Sequence, residues 1–176
     1  LDDNVGRMVA TLEQLGLRDN TIILYLGDNG PNTDRFNGGM LGAKATVHEG
    51  GTRNILLMNG PGIVPAGQVV EPLTAHIDLL PTLLNYAGSA LPNGVKLDGQ
   101  NLRPLIENPQ REWPERDLFF HWQHRAALRT TDYRLTYERD RASLFDLRVD
   151  PGQKKDIAQK EPEVLNQLKA RYEAWY

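Results

Sequence analysis

The sequence contains no cysteine, so disulfide bonds are excluded and the redox compartment is left open. It also has no apolar run near the ~20 residues that a membrane-spanning helix requires. Acidic and basic residues nearly balance, with a net charge of −3, and the chain therefore lacks the basic footprint of a nucleic-acid-binding protein. The amino-acid composition, with 40% hydrophobic and 24% charged residues, is typical of a globular protein with one domain, or with one domain and a small appendage.

The most informative segment is 22–30, in which an apolar run is followed by an acid, an amide and a glycine. A short apolar, β-branched run bounded by glycine predicts a buried strand of a parallel sheet. Open α/β sheets bind ligands at the carboxyl ends of their strands, which is where Asp28 and Asn29 lie. Their oxygens suit a hard cation such as calcium or magnesium. From these residues alone the alternative is a simple turn, because Asp, Asn and Gly commonly end strands.

A glycine-rich segment over 38–53 follows and contains Lys44. Five glycines within fourteen residues contribute no side chain to a core, but they let the backbone approach a ligand closely or adopt a positive φ. An ammonium in such a loop is suited to lie beside a bound oxyanion. A solvated surface lysine is the alternative for Lys44 alone, and the nearby Asp28-Asn29 pair and Glu49-Gly50-Gly51 run favour the site.

Together these motifs resemble the type I, formylglycine-dependent sulfatases of the alkaline phosphatase superfamily. The matching pieces occur in family order: Asp28-Asn29-Gly30, Lys44, Glu49-Gly50-Gly51-Thr52-Arg53, Thr74-Ala75-His76-Ile77-Asp78, Leu97-Asp98-Gly99, Tyr133-Arg134-Leu135, Leu144-Phe145-Asp146-Leu147 and Asp150-Pro151-Gly152. Each piece alone is common, but their order across nearly the whole chain is specific. The resemblance covers only the carboxyl-terminal part of a sulfatase.

The resemblance and the hydrophobic pattern predict an α/β fold in two parts. Residues 1–116 are expected to form the C-terminal part of an alkaline-phosphatase-like sandwich, a mostly parallel sheet with helices, with helices over 2–15 and 78–87. Residues 117–176 are expected to form a small α+β subdomain with an antiparallel sheet and a terminal helix. Its four strand candidates, at hairpin spacing, are 118–122, 126–129, 133–137 and 143–147.

The resemblance also implies hydrolysis of a sulfate ester with one divalent metal ion. Asp28 and Asn29 match two protein ligands of that ion, Ca²⁺ or Mg²⁺. An asparagine at this place, where alkaline phosphatases have histidine, favours an oxygen-only site over zinc. Lys44 matches the lysine that contacts the sulfate and the leaving-group oxygen, which implies catalytic and substrate-binding roles.

Other side chains are weaker candidates. His48 is a candidate for catalysis, and His76 and Arg35 are candidates for substrate binding; for each the alternative is a structural or solvated residue. Glu49 and Arg53 are predicted to form a charge pair that braces the loop. The start of the small domain also offers His121, His124 and Arg125 for substrate selection.

The nucleophile of the resembled family is a formylglycine made from a Cys-x-Pro-x-Arg motif, which a chain without cysteine cannot contain. We therefore expect it upstream, in an N-terminal part of the same enzyme that is this chain's partner. The expected substrate is a small-molecule or glycan sulfate ester, with no nucleic acid or membrane as partner. The parent enzyme is expected to be periplasmic or secreted, with a cytoplasmic location left open.

Two alternatives to a sulfatase stay open at this point. One is a phosphonate monoester hydrolase or phosphodiesterase of the same superfamily. The other is a catalytically inert module, and the isolated 176 residues are in any case expected to be inactive because the nucleophile is missing.

Overall fold

The computed structural model describes residues 1–91 and 93–176. They form two compact units, each assembled from two stretches of sequence: Leu1–Leu26 with Leu56–Trp113 (the first unit), and Gly27–Ile55 with Pro114–Tyr176 (the second unit). These units differ from the predicted 1–116 and 117–176, because the glycine-rich segment belongs with the C-terminal sheet. The predicted division of the catalytic domain from the small subdomain stays a prediction.

The described residues contain the following regular elements. The helices are α1 Asp2–Gln14, α2 Glu49–Thr52, α3 Leu79–Tyr86, α4 Arg103–Glu107 and α5 Pro162–Trp175. The strands are β1 Ile23–Leu26, β2 Leu56–Asn59, β3 Leu118–Trp122, β4 Arg125–Arg129, β5 Tyr133–Glu138 and β6 Arg141–Asp146. Among the described helices, none combines the length and apolarity needed to cross a bilayer.

The first unit has the helices predicted over 2–15 and 78–87, as α1 and α3. Acidic residues in the first turn of α1 complement the positive end of its dipole. The start of α3 is fixed by the buried Asp78, whose carboxylate accepts backbone hydrogen bonds from Ala75 at 2.7 Å and Gln100 at 2.8 Å. Asp78 thus joins the chain before α3 to the segment at residue 100, and its side chain does not cap α3 itself.

The pairing of β1 with β2 is antiparallel, with Ile23 opposite Asn59, and this corrects the prediction of a parallel arrangement for segment 22–27. Parallel neighbours need a crossover, usually through a long helix. Residues 27–55, which connect β1 to β2, are all described. Their α-helix is the four-residue α2, which is too short for such a crossover. The expected burial differs as well, since all four residues of β1 are half-buried in this chain.

The second unit contains a four-stranded antiparallel meander in the order β3-β4-β5-β6. Helix α5 packs on one face of the sheet. The shared core consists of Ala126, Leu128, Leu135, Leu144, Leu168 and Tyr172. The predicted small antiparallel sheet with a terminal helix is confirmed, and so are all four strand positions to within a few residues. On this sheet rests the glycine-rich segment that carries the candidate site.

Candidate active site

Asp28 and Asn29 lie directly after β1, and their side chains contact each other. The Asn29 amide donates from Nδ2 to Asp28 Oδ1 at 2.9 Å and to the backbone oxygen of Gly30 at 3.2 Å. The main-chain oxygen of Asn29 accepts a hydrogen bond from the Asn54 side-chain amide. Asp28 is exposed, so its second carboxylate oxygen faces solvent or a ligand. The atom of Asn29 that faces the Asp28 carboxylate is thus Nδ2, and the predicted metal-binding role of the pair stays a prediction.

Glycines allow two stretches of backbone near the candidate site to come into direct contact. Gly30 donates its N–H to Gly51 O at 2.9 Å, and a Cβ on Gly30 would lie 1.9 Å from Gly50 O. Only glycine fits such a contact. The sequence predicts a close approach to a ligand, or a positive φ, for the glycines of 38–53; the close approach found here is between the turn after β1 and α2.

Lys44 is tied to the Asp28-Asn29 turn through its main chain. Its N–H donates to Pro31 O at 2.9 Å, three residues beyond Asp28. The Lys44 side chain is exposed. The next residue, Ala45, has a φ of 67°, a left-handed conformation that residues with a Cβ rarely adopt. The backbone that carries the lysine is thus held in an unusual turn close to the candidate metal ligands.

Below this turn, α2 is anchored to the sheet by a buried ion cluster. Glu49 is 3% exposed, and its carboxylate accepts hydrogen bonds from Arg134 and, at 3.1 Å, from Arg129 Nε. Arg134 is 1% exposed and also donates to Val47 O and, at 2.9 Å, to Thr52 Oγ1. One carboxylate and two guanidiniums therefore fix both ends of α2.

Burial determines the electrostatics of this cluster. It lowers the pKa of Arg134 to about 10, while the neighbouring Glu49 carboxylate opposes the change. Burial likewise lowers the pKa of Arg129, again opposed by Glu49. Both guanidiniums remain protonated at neutral pH, and Glu49 is the counter-ion that keeps them buried.

The predicted Glu49–Arg53 pair is present, but it is a minor contact. Its atoms are 3.9 Å apart and the Arg53 side chain is 61% exposed. The stronger partners, Arg134 and Arg129, were not predicted, because 80 or more residues separate them from Glu49. The one sequence signal was an arginine within the apolar strand run around Tyr133-Arg134-Leu135.

Gln153 is a further residue that the sequence did not single out. It follows the Asp150-Pro151-Gly152 turn, is 2% exposed and accepts the Glu49 N–H on Oε1 at 2.6 Å. Gly152 O accepts from Leu41 N at 2.9 Å. This turn therefore satisfies backbone donors at both ends of the glycine-rich segment.

His48 is buried between Gln153 and β5. Gln153 Nε2 lies 3.4 Å from His48 Nδ1 and donates to it, which assigns the ring proton to Nε2, 3.5 Å from Glu138 Oε1. Burial lowers the pKa of His48, with Glu138 acting in the opposite sense, so the ring is neutral at pH 7. These contacts support the position of α2. The predicted catalytic role of His48 stays a prediction.

Arg35 and His76 are the remaining candidates, both for substrate binding. Arg35 is exposed, with its guanidinium 4.8 Å from the ring centroid of Phe36. His76 is exposed at the start of a short 3₁₀ helix in the first unit. A cleft of about 1180 Å³ in the second unit is lined by His48 but not by Asp28, Asn29 or Lys44. The substrate-binding roles of Arg35 and His76 stay predictions.

The donor set of the candidate site fits part of a cation's requirements. Among the described residues no group of three or more His, Cys, Asp or Glu is arranged to hold a metal ion. Asp28 and Asn29 supply two oxygen donors, whereas calcium takes 6 to 8. If a cation binds here, water, substrate or residues outside this chain would have to supply the others.

The family comparison agrees with the order of these motifs. The model of the family described as Sulfatase matches residues 1–89, about half of the chain. The predicted sulfatase-type fold class is confirmed, because solved structures share this fold over 98–99% of the chain. The chain belongs to the sulfatase family.

Individual relatives cover most of this chain but are themselves much longer. Arylsulfatase A of Homo sapiens is 36% identical over 163 residues, which is 86% of this chain and 32% of that protein. The N-acetylglucosamine-6-O-sulfatase of Bacteroides thetaiotaomicron is 27% identical over 96% of this chain and 33% of its own length. The crystal structure of Ps i-CgsB in complex with k-i-k-neocarrahexaose has a TM-score of 0.83 at 27% identity, covering 99% of this chain and 40% of that one. The chain thus spans about a third of the length of the curated relatives it matches.

Proposed function

We propose that this chain is the C-terminal portion of a sulfatase, where it supplies metal ligands and an active-site lysine for the hydrolysis of a sulfate ester. The observation that carries the proposal is the main-chain hydrogen bond from Lys44 to Pro31, 2.9 Å long, which ties the lysine to the turn bearing Asp28 and Asn29. A lysine tied to a metal-binding pair suits a substrate with an anionic head group, such as the singly charged sulfate of a sulfate ester. Family membership supports the same chemistry.

In this proposal Asp28 and Asn29 bind a single Ca²⁺ or Mg²⁺ ion through their side-chain oxygens. The ion would neutralise the sulfate oxygens as charge builds during the reaction. Asn29 can turn its amide oxygen toward the ion, because both of its side-chain hydrogen bonds among the described residues use Nδ2. The nucleophile, a formylglycine by family resemblance, comes from outside these 176 residues.

Lys44 holds the sulfate and the leaving group. Its ammonium binds a sulfate oxygen as a point charge and hydrogen-bonds to the ester oxygen as the bond to sulfur breaks. In that position it can also give a proton to the departing alkoxide. The side chain is exposed in this chain and so is accessible to a substrate.

For the substrate class we propose a sulfated carbohydrate. One relative is an N-acetylglucosamine-6-O-sulfatase, and one structural neighbour was solved with a neocarrahexaose. Small aryl sulfates stay the second possibility, given the similarity to an arylsulfatase.

The proposal predicts that the full-length enzyme carrying this sequence hydrolyses sulfate esters. Release of sulfate from sulfated mono- and oligosaccharides and from an aryl sulfate should exceed hydrolysis of a phosphate diester or a phosphonate monoester by at least about 100-fold in kcat/KM, a difference of about 2.7 kcal/mol. Ion chromatography measures the released sulfate, and release of the alcohol, for example nitrophenol, measures hydrolysis of the phosphate diester and the phosphonate monoester. The isolated chain serves as the inactive control. A preference for the phosphate diester or phosphonate would assign the enzyme to the other branch of the superfamily.

A second prediction concerns the metal. Asp28→Ala in the full-length enzyme should weaken calcium binding by more than about 100-fold, because even outer-shell partners of a metal contribute 10- to 100-fold. Titration calorimetry with Ca²⁺ and with Mg²⁺ measures this without any turnover. Asp34→Ala is the matched control, since Asp34 is an exposed aspartate of the same loop. Unchanged affinity in Asp28→Ala, or equal loss in Asp34→Ala, would contradict the assignment.

A further inference from the structure

The main-chain oxygen of Ala45 accepts a hydrogen bond from a side chain that the proposed reaction does not use. Arg125, the first residue of β4, donates to it from Nη1 at 3.0 Å, across 80 residues of sequence. Ala45 immediately follows Lys44 and has the left-handed φ of 67°. An arginine side chain therefore ends on the strained peptide beside the active-site lysine.

The turn that carries Lys44 is held from two sides. On one side the Lys44 N–H donates to Pro31 O at 2.9 Å, and on the other Arg125 holds the Ala45 carbonyl. Within the turn, Thr46 donates from both its N–H and its hydroxyl to Ala43 O, at 3.1 and 2.8 Å. These bonds fix the backbone direction at Lys44. Arg125 is the partner of this turn that comes from the sheet; without it, the bond from Lys44 to Pro31 and the bonds within the turn would remain.

Arg125 is itself fixed by its strand partner. Arg125 and Glu138 stand opposite each other in the β4–β5 ladder, and Nε lies 3.5 Å from Glu138 Oε1. Glu138 Oε1 is also 3.5 Å from His48 Nε2. The guanidinium thus starts from the sheet beside an ion-pair partner, without a hydrogen bond from Nε, and its outer edge reaches the turn.

We propose that Arg125 is a positioning residue for Lys44, a role that rests on the proposed function. Lys44 is exposed, and a lysine side chain has a flexible four-carbon stem. The region that its ammonium can reach therefore depends on the position and direction of the Cα–Cβ bond. By holding the Ala45 carbonyl, Arg125 fixes the backbone at Lys44 relative to Pro31 and the Asp28-Asn29 pair. The sequence-based prediction of substrate selection by Arg125 stays untested, but the contact to a backbone oxygen favours positioning.

The test compares Arg125→Ala, Arg125→Lys and the control Arg141→Ala in the full-length enzyme. We expect Arg125→Ala to lower kcat about 10-fold with KM changed less than about 3-fold, because a catalytic group displaced by about 1 Å can cost up to 100-fold in rate. Arg125→Lys should restore activity to within about 3-fold of the parent, since one ammonium donor can serve one carbonyl. Arg141 is 79% exposed, pairs with Asp156 at 3.4 Å on the same sheet, and should change kcat less than about 2-fold when replaced.

A double-mutant cycle separates positioning from general damage. In a Lys44→Ala background, Arg125→Ala should lower the remaining rate by less than about 2-fold, because the group it positions is gone. An undiminished 10-fold loss in that background would overturn the proposal. So would a kcat for Arg125→Ala equal to that of Arg141→Ala.

Hydrogen exchange followed by mass spectrometry provides a readout that does not depend on turnover. Arg125→Ala, and Arg125→Lys to a smaller degree, should speed exchange in peptides covering residues 43–46, and Arg141→Ala should not. If the exchange rate of residues 43–46 were unchanged in both Arg125 variants, the positioning role of Arg125 would be refuted, even if sulfate hydrolysis is established. Conversely, a parent enzyme without sulfatase activity would refute the proposed function while the exchange result still decides whether Arg125 fixes the turn.

Discussion

Replacing Glu49 with alanine is expected to destabilise the second unit by about 3–5 kcal/mol, the usual cost of leaving a buried charge without its partner. Arg134 is 1% exposed and would keep a buried guanidinium whose counter-ion is gone. Arg129, 3.1 Å from Glu49 Oε1, would lose the same partner. Because most domains are stable by only about 5–15 kcal/mol, such a loss approaches unfolding. Urea unfolding of the chain, followed by tryptophan fluorescence, measures the change.

Arg53→Ala is the matched control for this experiment. Arg53 also pairs with Glu49, but at 3.9 Å and with a side chain that is 61% exposed. Exposed pairs contribute about 0–1 kcal/mol, so this variant should unfold close to the parent. If Glu49→Ala and Arg53→Ala gave the same small change, the ion cluster would not be what holds α2 on the sheet.

The same cluster can be tested by removing both charges together. Glu49→Leu combined with Arg134→Met should be less destabilising than the sum of the two single changes, since buried ion pairs can often be replaced by apolar side chains at little cost. Some loss remains, because Val47 O and Thr52 Oγ1 no longer receive the Arg134 donors. The interaction energy from this cycle measures the charge pairing itself.

The C-terminal sheet was largely predictable from sequence because its determinants are local. Each strand has its own short apolar run, and the turns between them are a few residues long, so strand positions follow from spacing alone. Leu128, Leu135 and Leu144 fill the core from three successive strands. Helix α5 contributes Leu168 and Tyr172 to the same core, as its apolar spacing indicates.

The pairing of β1 with β2 was not predictable in the same way. An apolar run shows that a strand exists, but its partner and direction depend on the path of residues 27–55 between them. The ion cluster was missed for a related reason, since Glu49 and Arg134 are 85 residues apart. A single sequence shows charge types and spacing, whereas such contacts are set by tertiary packing.

The candidate site lies between these two cases. The proximity of Asp28 to Asn29 follows from their being neighbours, and Lys44 stands out because glycines surround it. The conformation of the turn does not follow from sequence, because an alanine at φ 67° goes against local preference. Its position is set instead by distant partners, Arg125 among them.

Replacing Lys44 with alanine is expected to give the largest loss of activity of any change in this chain. Removing one preorganised donor to a developing oxyanion commonly lowers kcat by about 100- to 1000-fold, or about 2.7–4 kcal/mol. Lys44→Arg should recover only part of this, because a planar guanidinium places its donors differently from an ammonium point charge. Steady-state kinetics of the full-length enzyme on a sulfate ester measures kcat and KM separately.

The form of the loss distinguishes catalysis from simple substrate binding. If Lys44 acts on the leaving group, its removal should cost less with a good leaving group, such as a nitrophenolate, than with a sugar alkoxide, since the better leaving group needs less help from an acid. Lys160→Ala, at an exposed lysine of the same unit, should leave both substrates unaffected. Equal losses on both substrates, confined to KM, would limit Lys44 to holding the sulfate. Full activity of Lys44→Ala on both substrates would show that Lys44 has no role in catalysis or in substrate binding.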